Sequence, residues 1–535
     1  MIYVNFNNRN LDINDCSLNG NFFVNNDFFE KEKAIKYLNI LNDDNLKAGI
    51  AATNGFYSAV VNNNKRTLII VDKVRTHPIF YYYSEGSLYV SDNAYWVLDK
   101  IPNKHLGREE VDEFLSCGFV NGANTLVNNL KQLRAGEYLY YDKNSGVIKL
   151  NRYFKYDRVE SKSYDYEAFN KKLMSVLDDA TKRMLKVVGD STIYLPLSSG
   201  LDSRLIALML KRHGVQNVIT YTYGRLNNEE SKISKEIADK LGFDWHFIEY
   251  SLEKWKKWYG TEECEEFMKK AHSLVSTPHL QDWPAIYEMK KEGLIGEDAI
   301  FIPGHTGDFL AGSFIPTDFN DANKEVDEDT VIKLLLDRHY SFRAHYNKTH
   351  RLYKLFKEKI MNEFTNVFHG DVKSGTELTE KWVWQERQGK FITNSLRTYE
   401  EFGYRWTMLF WDSEVIDFFL TLKLEDRYEK KLYTEFVEKL SKKYLGNEYK
   451  KVKTIVSSSG KSTRDILNKI GLIDIARNIN ALKKKKNYAR EFKSQPLHMY
   501  GIMMEEEFKK RYNGWKGINS FIAEDALEIA KRAIK

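Results

Sequence analysis

Cysteine is scarce in this chain. Its three residues, Cys16, Cys117 and Cys264, stand far apart and show no CxxC spacing. That excludes a disulfide framework, a thiolate zinc site and a thioredoxin-like centre, and it suits a reducing compartment. No run of about 18 residues is both apolar and uncharged, so no transmembrane helix and no membrane insertion are expected. The opening residues MIYVNFNNRNLDIND lack a basic stretch followed by an apolar one. No export signal is therefore expected, and the expected location is the cytoplasm. An excess of one charge sign is missing too: 81 basic against 75 acidic residues leave a net charge of +6. That is too slight a bias, with no recognition signature beside it, for a nucleic-acid partner. What is abundant is apolar and aromatic material, 42% and 14% of 535 residues, enough for two or more domains with cores of their own.

The two halves are patterned differently. Up to about residue 155, short apolar and aromatic runs alternate with turn clusters: Phe56 to Val61, NNNK, TLIIVD, PIFYYY, SEG and SLYVSD, then Tyr138 to Asp142, KNSG, and a last run ending near Phe154. This is the pattern of antiparallel strands. Further on, strands alternate with helical periods: TIYLPLS at 192–198, a helix from about Asp202 to His213, NVITYTYG at 217–224, a helix through Ser231 to Leu241, and WHFIEY at 245–250. Such βαβαβ order predicts a doubly wound parallel sheet. Beyond residue 330 the periodicity is mainly helical and proline and glycine thin out. The expected class is α/β, with an antiparallel β-rich domain at 1–155 and, at 156–535, a parallel-sheet domain with a helical C-terminal extension.

One segment carries chemistry by itself. Leu197, Ser198, Ser199, Gly200, Leu201, Asp202 and Ser203 end a strand and open a helix. Small residues let the backbone approach an anion, and the helix start presents free N–H groups and a positive dipole end, which suits pyrophosphate. Asp202 in the first turn is placed to ligate Mg²⁺, a hard cation held by one or two carboxylates plus phosphate oxygens. The alternative is that Asp202 and the serines merely cap the helix.

The segment Ser198-Ser199-Gly200-Leu201-Asp202-Ser203 resembles the PP-loop motif SGGxDS of ATP pyrophosphatases, with Ser199 in place of the second glycine. TYTYGRLNNEESKISKEIADKLG resembles the strand, loop and helix that follow it in the asparagine synthetase family. Phe301 to Asp308, FIPGHTGD, resembles that family's SGEGSDE segment. The resemblance puts Gly304 beside the nucleotide and Asp308 at a second magnesium carboxylate. RWTMLFWDSEVIDFFLTL at 405–422 resembles the PFLD region, with Leu409 to Asp412 at the signature. Lys451-Val452-Lys453 resembles a late R-x-K element, in which Lys453, in preference to Lys451, is the active-site lysine. Nearer the start, Asn54-Gly55-Phe56, VDKVRTHPIFYYYSEGSLYVSD and GFVNGANTLVNNLKQLRAGEYLYYD resemble the family's class II glutamine amidotransferase domain, an Ntn-type fold.

Three departures stand out. Position 2 is Ile, where a class II amidotransferase needs cysteine as its nucleophile. Cys16-Ser17-Leu18-Asn19-Gly20 is faintly similar to the CGIxG start, and cleavage after Asp15 would expose it. The simpler inference is a shortened domain without glutaminase activity. His305 stands where asparagine synthetases carry Glu and β-lactam synthetases Tyr, so a near-neutral imidazole acting as general base is one expectation and mere contact with the acceptor the other. Phe309 replaces a Glu and is expected to make the pocket more apolar, which argues against plain aspartate as the acceptor.

The resemblance implies a ligase that uses ATP and Mg²⁺ to adenylate a carboxylate and passes it to ammonia or an amine, releasing AMP and pyrophosphate. The acceptor is a small molecule or a peptide. Its leading form is a sugar acid destined for surface polysaccharide, with nitrogen from free ammonia, a separate amidotransferase or the substrate itself. A macrolactam-forming cyclase resembling lasso-peptide enzymes is the alternative, followed by a non-catalytic scaffold subunit. Self-association as a homodimer is left open. Lys483 to Lys486 reads as a solvated face, and Ser459 to Thr463 fails as a Walker A loop because position 455 is Ile.

Overall fold

A computed structural model describes residues 1–7, 9–12, 15–159, 163–446 and 473–535. The N-terminal region is built from two stacked sheets. In the six-stranded one, strands Ile148–Arg152, Glu137–Asp142, Arg66–Val71, Asn54–Asn62, Ser17–Val24 and Asp27–Glu30 lie side by side in that order, every pair antiparallel. In the five-stranded one the order is Arg9–Leu11, Ile2–Phe6, Ser87–Ser91, Phe80–Ser84 and Lys131–Gln132, with one parallel pair between Ile2–Phe6 and Ser87–Ser91.

Period-two patterning explains the layering, because successive strand residues face opposite sides. Val60, Ile69 and Val71 meet Val4, Phe6, Leu88 and Val90 between the sheets. Their neighbours Ala59, Val61, Leu68 and Ile70 face outward onto helices Lys31–Ile40 and Leu46–Ala51. On the far side, Phe80 and Tyr82 pack under helices Ala94–Leu98 and Arg108–Cys117. The result is a four-layer helix–sheet–sheet–helix stack. The last helix of the chain, Ile518–Ala533, completes the outer layer by burying Ala523, Ala526, Leu527 and Ala530 in this same cluster.

The third sheet is fully parallel, in the order Asp244–Glu249, Val218–Gly224, Ile193–Pro196, Ile300–Phe301 and Arg405–Trp406. Chain order thus reverses between Ile193–Pro196 and Ile300–Phe301, and the crevice at such a switch point is where open α/β sheets bind ligands. Helix Leu201–Arg212 buries every residue from Ser203 to Leu210 against the sheet. The expected strands and helices between 192 and 250 form within a residue or two of their predicted ends. No helix among the described residues is long and apolar enough to cross a membrane.

A buried ion pair ties the two regions together. Arg183, on helix Tyr166–Val188, donates two hydrogen bonds of 2.7 Å to the carboxylate of Asp412. Asp412 also accepts the side-chain amide of Asn54 at 2.9 Å, and Asn54 in turn accepts the backbone N–H of Ser413 at 2.8 Å. Asp412 further caps helix Ser413–Leu420 through the N–H of Glu414. Because Arg183 is 6% exposed and Asp412 8%, removing Asp412 leaves the buried guanidinium with only the half-exposed Glu414, at 3.0 Å, as its counter-charge. Asp412→Ala is expected to cost about 3–5 kcal/mol, read as a lower melting temperature. An unchanged melting curve would contradict this role.

Candidate active site

After Ile193–Pro196 the chain turns through a loop that satisfies itself. Leu197 is buried, with its N–H bonded to Tyr221 O at 2.9 Å. Ser198 N–H donates to Ser203 Oγ at 3.0 Å, the two hydroxyls lie 3.0 Å apart, and Gly200 N–H donates to Ser198 Oγ at 3.1 Å. Arg204 reaches back to Ser199 O at 2.6 Å. Gly200 is the N-cap of helix Leu201–Arg212 and supplies no side-chain cap. The first-turn N–H groups at Leu201, Asp202 and Ser203 therefore point their dipole at the crevice without a capping side chain.

From the neighbouring strand Ile300–Phe301 comes the second loop, and two glycines let it close on the first. A Cβ on Gly304 would lie 2.8 Å from the backbone N and Cα of Ser203. One on Gly307 would lie 2.7 Å from Tyr433 Oη and 2.8 Å from Asp202 Cγ. Between them Thr306 is forced to φ +84°, an unfavourable conformation for a residue with a side chain, and is held by its hydroxyl on Gln388 at 3.1 Å. In consequence Asp308 N–H donates to Asp202 Oδ2 at 2.9 Å, while Tyr433 hydroxyl donates to Oδ1 at 2.9 Å.

Burial, then the negative charge of Asp308, push the Asp202 carboxyl up to about 7. The carboxylate of Asp308 accepts no hydrogen bond and no ion pair among the described residues. Two hard oxygen donors, one of them uncommitted and the pair mutually repelling, fit Mg²⁺ shared with phosphate oxygens. No third His, Cys, Asp or Glu joins them into a larger metal-ligating group among the described residues. The cation whose charge acts on Asp202 is Lys430. It sits at φ +58°, after Glu429 at +52°, at the entry to helix Lys431–Leu445.

His305 lies in the same loop, with Nε2 3.3 Å from Ser395 Oγ and Nδ1 buried without a partner among the described residues. Burial and the neighbouring His279 push its pKa down to about 3. The imidazole is neutral at pH 7, as a proton acceptor must be, but far from the near-neutral base expected of it. A second expectation is overturned at Phe309. It is fully buried and packs on Tyr156, Phe314 and Trp411 at 5.3, 5.9 and 6.0 Å, so it fills core and does not line the pocket. One helical step turns it away from Asp308. Cys16 is likewise far from the amidotransferase motif: Ser17 pairs with Val60 while Phe23 pairs with Asn54, so the two lie toward opposite ends of the same strand pair. His272 bonds Ser276 O in the core. Lys451, Lys453 and Ser459 to Thr463 lie outside the described residues.

Sequence reasoning missed Tyr433, Lys430, Gln388 and Ser395. The last two come from an unusual stretch, a π-helix over Val383–Ile392 followed by a 3₁₀ turn over Thr393–Leu396. Wide turns of this kind recur at functional sites, but no residue pattern announces them.

Residues 172–258 match the asparagine synthase family. The matched segment holds the turn from Leu197 to Ser203 and the first three strands of the parallel sheet, and it supports an ATP-dependent, amide-forming ligase-type enzyme. No curated protein matches the chain. Among solved structures, glutamine phosphoribosylpyrophosphate amidotransferase from B. subtilis, complexed with ADP and GMP, matches at 12% identity over 44% of this chain and 70% of that one, with a TM-score of 0.19. The allosteric regulatory enzyme of purine biosynthesis matches at 11% identity over 44% of this chain and 59% of that one, with a TM-score of 0.18. Likeness at this level carries no geometric comparison.

The close glycine contacts between the two loops lead to a prediction. Gly304→Ala places a methyl against the Ser203 backbone and is expected to cost about 1–3 kcal/mol of overpacking. Isothermal titration should show Mg-ATP binding weakened by about tenfold or more. Unaltered affinity would mean that the two loops need not touch.

Proposed function

We propose that this enzyme adenylates a substrate carboxylate with ATP and transfers the acyl group to ammonia or an amine. The observation that carries this reading is the pairing of Asp202 with Asp308 beside an uncapped helix start at the switch point of a parallel sheet. The loop of Leu197, Ser198, Ser199, Gly200, Leu201, Asp202 and Ser203, with Gly304 against it, would hold the pyrophosphate end of ATP. Mg²⁺ held by Asp202 and Asp308 would supply charge neutralisation on the departing pyrophosphate. Lys430 adds positive charge beside Asp202, and family resemblance assigns Lys453 a charge-neutralising role.

In the first half-reaction a carboxylate oxygen attacks the α-phosphorus, and pyrophosphate leaves. In the second an amine attacks the acyl carbon, loses a proton, and AMP leaves. Alignment and charge neutralisation are what both steps need. Neutral His305, with a free Nδ1, is the candidate to contact or deprotonate the amine. The displacement of Cys16 from Asn54 supports a reading without glutaminase activity, so nitrogen would come from ammonia, a separate amidotransferase or the substrate. The acceptor we favour is a carboxylated sugar. Asp202→Ala and Asp308→Ala are each expected to reduce AMP formation by at least about a thousandfold, measured by mass spectrometry with pooled uronic acids, amino acids and ammonium. Full activity in either variant would refute the assignment.

A further inference from the structure

Asp308 separates two electrostatic surroundings. The cation acting on Asp202 is Lys430. Arg338 and Arg387 stand elsewhere: the charge of Asp308 acts on both, and that of Asp202 on neither. Their guanidinium carbons lie over one aromatic ring, 4.3 Å and 5.7 Å from the centroid of Phe314, and Arg387 is also 5.8 Å from Phe391. Arg338 donates to Ser313 O at 2.9 Å. Among the described residues Arg387 makes no hydrogen bond, and neither guanidinium has a salt bridge. Two imidazoles continue this wall. His279 packs on Phe391 at 5.1 Å beside Arg387 and next to His305, and Nδ1 of each histidine is buried without a partner among the described residues.

Arg387 is half-buried and Arg338 exposed, and holding two guanidiniums over one ring with one shared carboxylate that a metal would neutralise is costly through their mutual repulsion. Burial lowers the basicity of both, and Arg338 adds to the effect on Arg387. An oxyanion offered to the fork of either arginine reverses that cost, since charge-assisted bonds to guanidinium are the strong ones. The triphosphate does not answer this need: the loop that would take it, and Lys430, lie with Asp202. We propose that Arg338 and Arg387 form a subsite for a second anionic group, a phosphate or a further carboxylate, on the acceptor whose carboxyl is adenylated. This rests on the adenylation reading and narrows its substrate class to acceptors with at least two anionic groups.

Glucuronic acid and its 1-phosphate differ only in the added anion and serve as the probe pair. With the full chain, Mg²⁺ and a nonhydrolysable ATP analogue, the phosphorylated sugar is expected to bind at least about tenfold more tightly. That preference should fall to within about twofold in Arg387→Gln and in the more exposed Arg338→Gln, with analogue affinity held within about twofold. Equal binding of the two sugars, or no binding of the phosphate, overturns the proposal. A loss of analogue affinity in the arginine variants assigns the pair to the triphosphate and overturns it too. If the wild-type chain fails to bind the analogue, the adenylation reading falls, and the same sugar titration without nucleotide still decides the anion subsite by its preference.

Discussion

The close approach of two loops at the centre of the parallel sheet is the constraint on which the rest depends. Strand order reverses between Ile193–Pro196 and Ile300–Phe301, so the chain leaves these neighbours on opposite sides of a crevice. Only glycine at 304 and 307 lets the second loop lie against Ser203 and Asp202. What this contact achieves is electrostatically unfavourable by itself, since it sets one carboxylate beside another. Such an arrangement is retained where a cation is to be held. Thr306 at φ +84° shows that the backbone absorbs strain to make it.

Polar contacts then set the surrounding parts in register. Asp412 gathers Arg183, Asn54 and the start of helix Ser413–Leu420 into one network. A second link forms where Lys390 and Glu386, both fully buried, engage the backbone at Val120 and Gly122. Both ties join the N-terminal sheets to the helices behind the site. The N-terminal region therefore has a physical task, to hold the π-helix that carries Arg387 and Gln388 on its other side.

The loop-and-helix-start half of the candidate site was legible because its hydrogen bonding is local. Ser198 to Ser203 form one strand-to-helix turn, and the hydrogen bonds among them span no more than five residues. The strands around them were legible for the same reason, since hydrophobic periodicity is a short-range property. Residues on long helices were not. Tyr433 reaches Asp202 across 231 positions, and nothing around it in the chain distinguishes it from a core tyrosine. Phe309 was misread because adjacency in sequence to Asp308 suggested adjacency in the pocket, whereas one helical step reverses direction.

By itself, then, the sequence determined the two sheet types and the strand-to-helix turn from Leu197 to Ser203, because strand alternation and turn chemistry act over a few residues. Tertiary structure alone decided that Asp202 and Asp308 meet, that His305 is neutral, that the final helix Ile518–Ala533 returns to the N-terminal layers, and that two arginines share one aromatic ring. Those outcomes depend on which distant surfaces pack together and on how far water is excluded between them, and a linear pattern carries neither quantity.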